Sequence, residues 1–500
     1  MEAFSDYDDH DAVGLARLVA TGEVHAGELV EAAAERIANV NPAINAVIWD
    51  RVDDARSEAG AADHHGPFAG VPILIKDLVV EEGVPVTFGS VFFRDYIGDA
   101  TSEFSHRIGR AGFITVGRSN TPEFGLLPTT EPVLHGPTRN PWDLSRSAGG
   151  SSGGAAAAVA AGIVPLAQAS DGGGSIRIPA SATGLFGLKA SRGRSPRQPG
   201  GPVDYLSSEH AVTRSVRDSA AFLDATHGAA PGDRYWVPEP RAPFTEAVES
   251  DPGRLRIGFS VRDFRGDRVH PECEAAVLAT AALLESLGHD VVEAAPAVDG
   301  NVMAAAFIEV WAALAANAFS TVLDAACERV PAVRRVRRAA GDRRTMRLIS
   351  RLDQRESGLP AFEPFTVHLA DRSSRRSQAD LLTAEASLQA IAHETAAFLG
   401  DHNAFLTPVL GSPPVPLGWF DQSLSWDEFF ERVYRYVAFT PLGNFAGLPA
   451  MSVPLHWTPD GLPVGSHFLG RFGDEETLLS LAGQLERAQP WADRRPSGYC

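Results

Sequence analysis

Apolar residues recur at helical spacing across "AVGLARLVATGE" (Ala12–Glu23) and "HAGELVEAAAERIANVNP" (His25–Pro42). That spacing predicts two amphipathic helices, the second stopping at Asn41-Pro42. "INAVI" (Ile44–Ile48) reads as a short strand and "DRVDDARSEAGAAD" as an exposed helix. "GVPILIKDLVV" reads as a buried strand ending in a functional-looking lysine. A helix over 101–111 then precedes a strand over Phe113–Asn120. Between 141 and 190 the pattern is built from small residues: a helix in "SGGAAAAVAAG", a strand in "VPLAQAS", a sharp "DGGG" loop, a short helix or turn in "SIRIPASATG", and a strand in "LFGLKAS". The stretch 191–210 reads as Pro/Gly-rich loop, and "VTRSVRDSAAFLDATHG" as helix.

"LRIGFSV" (Leu255–Val261) is a strand, followed by a helix and a strand in "PECEAAVLATAALLESLGHDVVEA". From about 297 to 395 the texture turns helical, rich in Ala and Arg, without strand signals; this segment is read as an insertion that could cap a pocket. Strands return in "NAFLTPVL", "PAMSVPL" and "PVGSHFLG", and "DEETLLSLAGQLERA" closes the pattern as a helix. Alternating helices and strands predict an α/β fold.

Composition narrows the function. A chain of 500 residues suggests two to four domains by length, although large α/β enzymes often form one unit. A formal net charge of −19 argues against nucleic acid or an acidic membrane surface as partner, since both call for a basic footprint. The basic run "RVPAVRRVRRAAGDRRTMR" reads as a solvated helix face. Cys273, Cys327 and Cys500 show no framework spacing, which suits a reducing compartment. The N-terminus "MEAFSDYDDHD" lacks the features of a signal peptide. The apolar run Ala155–Ala169 is broken by Gly162 and Pro165 and is too short for a bilayer. A cytoplasmic location is expected. His64-His65 has no metal-ligand spacing, and neither metal nor cofactor is expected.

Two glycine-serine clusters carry the candidate chemistry, "GGSSGG" (Gly149–Gly154) and "SDGGGSIR" (Ser170–Arg177). A flexible linker would not lead straight into a buried alanine-rich helix. A phosphate loop needs GxxxxGK[ST], and neither cluster has its lysine. Acyl transfer needs a nucleophile, a base and donors for the oxyanion. Successive glycines let backbone N–H groups converge, with Ser175 at that point. No histidine motif or GxSxG elbow lies near. Alternation in "VPILIKD" puts Lys76 on the face of Leu74, where burial would lower its pKa toward that of a useful base. The alternative, a lysine ion-paired with Asp77, stays open on these residues alone.

Long ordered blocks now resemble the amidase signature family over nearly the whole chain: "GVPILIKD", "TRNPWDLSRSAGGSSGG", "SDGGGSIRIPASATGLFGLKAS" and "NFAGLPAMSVPL". The resemblance implies a central twisted mixed β-sheet covered by helices on both faces, with a helical insertion near the substrate pocket. It implies one amidase domain over 1–500, with a core at about 65–260 and 400–500. It also implies a Ser–cis-Ser–Lys triad of Ser175, Ser151 and Lys76, and a cis peptide before Ser151. Gly172, Gly173 and Gly174 would supply the oxyanion hole. Ser152 and Asp171 would be structural, and Arg177 structural or a binder of acidic substrate. Position 172 departs from the family, which has Thr or Ser where this chain has Gly172.

"TTEPVLHGPTRNPWDLSRSAGGSSGG" and "LERAQPWADRRP" are most similar to the branch that acts on nylon-type cyclic amides and on aryl amides, anilides and carbamates. A pocket built from loop 124–131 and the insertion is expected, with Leu126 and Trp311, and more weakly Phe307 and Phe430, as an apolar wall. The expected partner is a small amide or carbamate, the expected state a monomer or homodimer. The other functions weighed are the glutaminase subunit of a tRNA-dependent amidotransferase and a non-catalytic binding module.

Overall fold

The computed structural model describes residues 3–60, 65–197, 204–329 and 358–498. Thirteen strands are formed: β1 (Val47–Asp50), β2 (Pro72–Lys76), β3 (Ile114–Ser119), β4 (Arg139–Asn140), β5 (Asp143–Ser147), β6 (Leu166–Asp171), β7 (Phe186–Lys189), β8 (Ser208–Thr213), β9 (Arg256–Phe259), β10 (Asp290–Glu293), β11 (Ala404–Pro408), β12 (Ala450–Trp457) and β13 (Pro463–Gly470). Eleven of them make one sheet in the order β1-β3-β2-β6-β8-β7-β12-β13-β11-β9-β10, and β4-β5 pair separately. The sheet is mixed. β2 runs parallel to β3 and β6, whereas β6, β8, β7, β12, β13 and β11 are successively antiparallel.

Both faces are covered, and the strand period shows how. Ile73 and Ile75 pack with Leu15, Leu29 and Phe222, whereas Leu74 between them packs with the alanines of the helix Gly153–Ala160. Farther along, Ala404 and Leu406 belong to one core cluster and Phe405 to another. Strands buried on both sides read as continuous apolar runs, which is why "PILIK" was legible. The helix Gly153–Ala160 is buried at every residue. Its small side chains permit the approach: a Cβ on Gly154 would lie 2.3 Å from the Asn120 nitrogen.

Three elements differ from the sequence expectation. The second helix runs over Ala26–Ile44, through Pro42, and the following strand begins only at Val47. The stop comes at Asn45, in the left-handed region at φ 51°, while the Asn41 side chain accepts from Ala46 N and Val47 N. Residues 208–213, read as loop or as the start of a helix, form β8 in the middle of the sheet. Ser208, Glu209 and His210 look like loop residues, but the ladder to β6 pairs their backbone. The helix Trp426–Tyr436, capped by Ser425, was not anticipated.

The insertion is helical where described: Gly300–Arg329, Pro364–Ser374 and Gln378–Asp401. Val310, Trp311 and Ala315 of the first helix join Leu369 and Leu388 of the others, and Phe405 and Leu469 of the sheet, in one apolar core. By length and composition alone, Gly300–Asn317 could also cross a bilayer. His64, residues 330–347 of the basic run, and Cys500 lie outside the described residues; Cys273 is a free, buried thiol.

Candidate active site

Lys76 ends β2 and shares a face with Leu74, so its side chain runs beneath the start of the alanine helix. It is fully buried. Its Nζ lies 2.7 Å from Ser151 Oγ, 2.8 Å from Ser152 Oγ and 3.1 Å from Ser170 Oγ. Burial pulls its pKa from 10.5 down to about 7, partly opposed by the charges of Glu209 and Asp171. The ion-paired alternative fails, because Asp77 accepts instead from Thr87 N (3.0 Å), the Thr87 hydroxyl and Gly89 N (3.4 Å). Burial raises the Asp77 carboxyl to about 6.

The three hydroxyls around Nζ are not equivalent. Ser152 Oγ donates its own proton to the Ser170 carbonyl (3.3 Å), which leaves it to accept from the lysine. A neutral amine has two N–H donors and one lone pair. Ser152 and Ser170 take the donors, and the Ser151 O–H is then free to face the lone pair. The Gly150–Ser151 peptide is cis. Next to it, Ser152 N donates to the Ser175 carbonyl at 3.3 Å, joining the two glycine-serine clusters. The Ser175 hydroxyl makes no hydrogen bond to Ser151 among the described residues. Ser175 is 8% exposed and lines a cavity.

Asp171 holds the loop that carries Ser175. Its Oδ1 accepts from Gly174 N (2.7 Å), Arg177 Nη2 (3.0 Å) and Asn444 Nδ2 (2.8 Å), and its Oδ2 from Ile176 N (3.2 Å) and Arg177 Nε (2.9 Å). Burial alone would raise this carboxyl. Arg177 and Asn444 outweigh it and hold the group well below the ordinary carboxylate range. Gly174 is required on two counts: its φ is 130°, and a Cβ there would sit 2.3 Å from Thr440 Oγ1.

Two sequence assignments are corrected here. The Gly174 N–H is spent on Asp171, so it is not an oxyanion donor. Among the described residues, the N–H groups of Gly172, Gly173 and Ser175 have no hydrogen-bond acceptor. Arg177 is 0% exposed, bonded to Asp171, Asn444 and His467, and does not line the cavity; it cannot meet a substrate.

The cavity above Ser175 has a volume of about 390 Å³. Leu126, Ile178, Phe307, Trp311, Phe430 and Val433 give it apolar walls, as anticipated for Leu126, Trp311, Phe307 and Phe430. Trp311 is fixed by its indole N–H donating to the Leu126 carbonyl (3.2 Å) and by stacking on Phe307 at 5.5 Å. A Cβ on Gly172 would make ordinary van der Waals contact with the Trp311 ring at 3.4 Å. Arg265, Arg372, Asp427 and Glu431 add charged lining. Ser170 was missed from the sequence; a serine ending an apolar strand carries no local signal of a lysine contact.

A model of the amidase family matches residues 28–479. The 6-aminohexanoate-cyclic-dimer hydrolase of Paenarthrobacter ureafaciens is 36% identical over 497 residues, covering 97% of this chain and 96% of its own. The chain is similar in three dimensions to a structure of 6-aminohexanoate cyclic dimer hydrolase complexed with substrate, with a TM-score of 0.84, 33% identity, and coverage of 98% and 99%. It is also similar to a bacterial aryl acylamidase of the amidase signature family, with a TM-score of 0.81, 26% identity and 97% coverage of each chain. The chain belongs to the amidase family. It is a hydrolase that acts on amides.

Proposed function

We propose that Ser175, Ser151 and Lys76 form a catalytic triad that cleaves the C–N bond of aryl, alkyl or cyclic amides through an acyl-enzyme. The observation that carries this reading is the buried Lys76 Nζ, 2.7 Å from Ser151 Oγ and, among the described residues, without a carboxylate hydrogen-bond partner. The Ser175 hydroxyl turns about χ1 from the cavity toward Ser151 and attacks the carbonyl carbon. Its proton passes to Ser151 Oγ as the Ser151 proton passes to the Lys76 lone pair. The N–H groups of Gly172, Gly173 and Ser175 receive the oxyanion. As the tetrahedral species collapses, the proton returns through Ser151 to the departing amine. Water then attacks the Ser175 ester, activated by the same lysine, and releases the acid.

The apolar walls favour aryl or alkyl groups beside the scissile bond over a glutamine side chain. Carbamates fall within reach because they pass through a similar tetrahedral oxyanion. The enzyme acts alone in the cytoplasm, as a monomer or homodimer, and the insertion walls its pocket within one domain. It uses neither metal nor cofactor.

A panel of anilides, lactams, carbamates and glutamine tests this reading with purified protein and Ser175→Ala. Turnover of anilides or lactams that vanishes in Ser175→Ala is expected. Turnover of glutamine alone would favour the glutaminase reading. No turnover and no labelling of Ser175 by a fluorophosphonate would favour a binding module.

A further inference from the structure

The base is also reached from behind, by a strand that is not part of the triad. Lys76 N donates to Gln168 Oε1 (3.0 Å), and Gln168 Nε2 donates to Glu209 Oε2 (2.7 Å). Glu209 lies directly opposite Ser170 in the β6–β8 register, and Ser170 Oγ accepts from Lys76 Nζ at 3.1 Å. Glu209 is therefore linked by hydrogen bonds to the lysine backbone through Gln168, and it sits across the ladder from a serine that Lys76 Nζ contacts. The other carboxylate oxygen, Oε1, accepts from Arg197 Nη1 at 2.5 Å. Gln168, Glu209 and Arg197 do not line the cavity.

We propose that Glu209 is a positioning residue that sets the proton affinity of the Lys76 amine, with Gln168 as the link and Arg197 as the counter-charge. The inference rests on Lys76 being the base.

The surrounding charges leave this role to Glu209. The helix Gly153–Ala160, packed over the lysine, has no ionisable side chain. Asp77, next on the lysine's own strand, is turned to Thr87 and Gly89. Arg118 on β3 reaches the Val79 carbonyl and Glu81. Asp171 on β6 is neutralised at once by Arg177, with which it is fully buried. Among the described residues Glu209 is ion-paired with Arg197 alone, a side chain 27% exposed and screened by solvent. Among the charges that counter burial of the lysine, that of Glu209 is the largest. Without it, burial would push the amine toward a proton affinity too low for an effective base near neutral pH.

The test is the pH dependence of kcat/KM on one neutral anilide for the wild-type protein, Glu209→Gln, Arg197→Gln and Lys76→Ala. Glu209→Gln should move the midpoint of the acid limb down by about 0.5–1 pH unit, the scale of one uncontacted charge in a partly solvated setting. Its plateau at high pH should fall a few-fold. Arg197→Gln should move the midpoint up, and KM should hold in both. Midpoints that stay at the wild-type value, or shift in the same direction, would overturn the proposal. Should Glu209→Gln fail to fold, the presence or absence of the upward shift in Arg197→Gln decides it. A wild-type profile without an ionisation near pH 7, or one unchanged in Lys76→Ala, would remove the base assignment itself. Failure of the positioning role alone leaves that wild-type ionisation in place.

Discussion

Lys76 Nζ lies 2.7 Å from Ser151 Oγ, and among the described residues its other hydrogen-bond partners are the Ser152 and Ser170 hydroxyls. An ammonium ion there is surrounded by dipoles and has no directly bonded counter-charge, so burial favours the neutral amine. A folded-state pKa of about 7 against 10.5 means that the unfolded chain binds one more proton than the folded one between those values. Stability contributed by this group therefore rises with pH across that window. In Lys76→Met the rise should be smaller than in the wild-type protein, read from urea midpoints between pH 7 and 10. Equal slopes would mean that the lysine is charged when folded.

The inequivalence of the three hydroxyls gives an order of effects. Ser151→Ala should lower kcat by ~10²–10⁴, the range for a lost proton-transfer group. Ser152→Ala and Ser170→Ala each remove one acceptor and should cost about tenfold, the scale of a single hydrogen bond. Steady-state kinetics on one anilide checks the ranking, and a Ser152→Ala loss as large as that of Ser151→Ala would reassign the relay.

Asp171 and Arg177 are a buried pair under the loop that carries Ser175. Asp171→Asn leaves a buried guanidinium without its counter-charge and should destabilise the fold by about 3–5 kcal/mol. Arg177→Met should reduce stability and kcat without discriminating between acidic and neutral amides. A selective rise in KM for acidic amides would restore the substrate-binding role rejected above.

Phe307 stacks on Trp311 and lines the cavity. Phe307→Ala should raise KM for aryl amides severalfold and leave KM for a small aliphatic amide nearly unchanged. A kinetic panel of the two substrates on each protein is sufficient, and a uniform effect would place Phe307 in packing rather than recognition.

Much of this site was legible in the chain because its parts are local. "VPILIK" is an apolar run with one charge, so it declared both a buried strand and a lysine that burial would alter. "SDGGGS" marked the loop because positive φ at Gly174 and close approach to Thr440 admit no side chain. What stayed hidden is what the sheet assembles from distant segments. β8 looks like a polar loop, yet its ladder to β6 carries Glu209 to the back of the lysine. Ser170 gains its role only because β6 lies beside β2. The oxyanion donors were misjudged at Gly174 because the glycines alone do not tell which N–H an aspartate three residues earlier will take. Arg177 gave the same difficulty: in sequence it is an arginine beside a nucleophile, and only the fold seals it beneath the loop.

The most direct measurement of the central claim is the rate at which a fluorophosphonate labels Ser175 as a function of pH, since it reads the nucleophile without amide turnover. The account predicts a rate that rises with a midpoint near pH 7 and falls steeply in Lys76→Ala and Ser151→Ala. A rate without that ionisation, or one that survives in both variants, would contradict it.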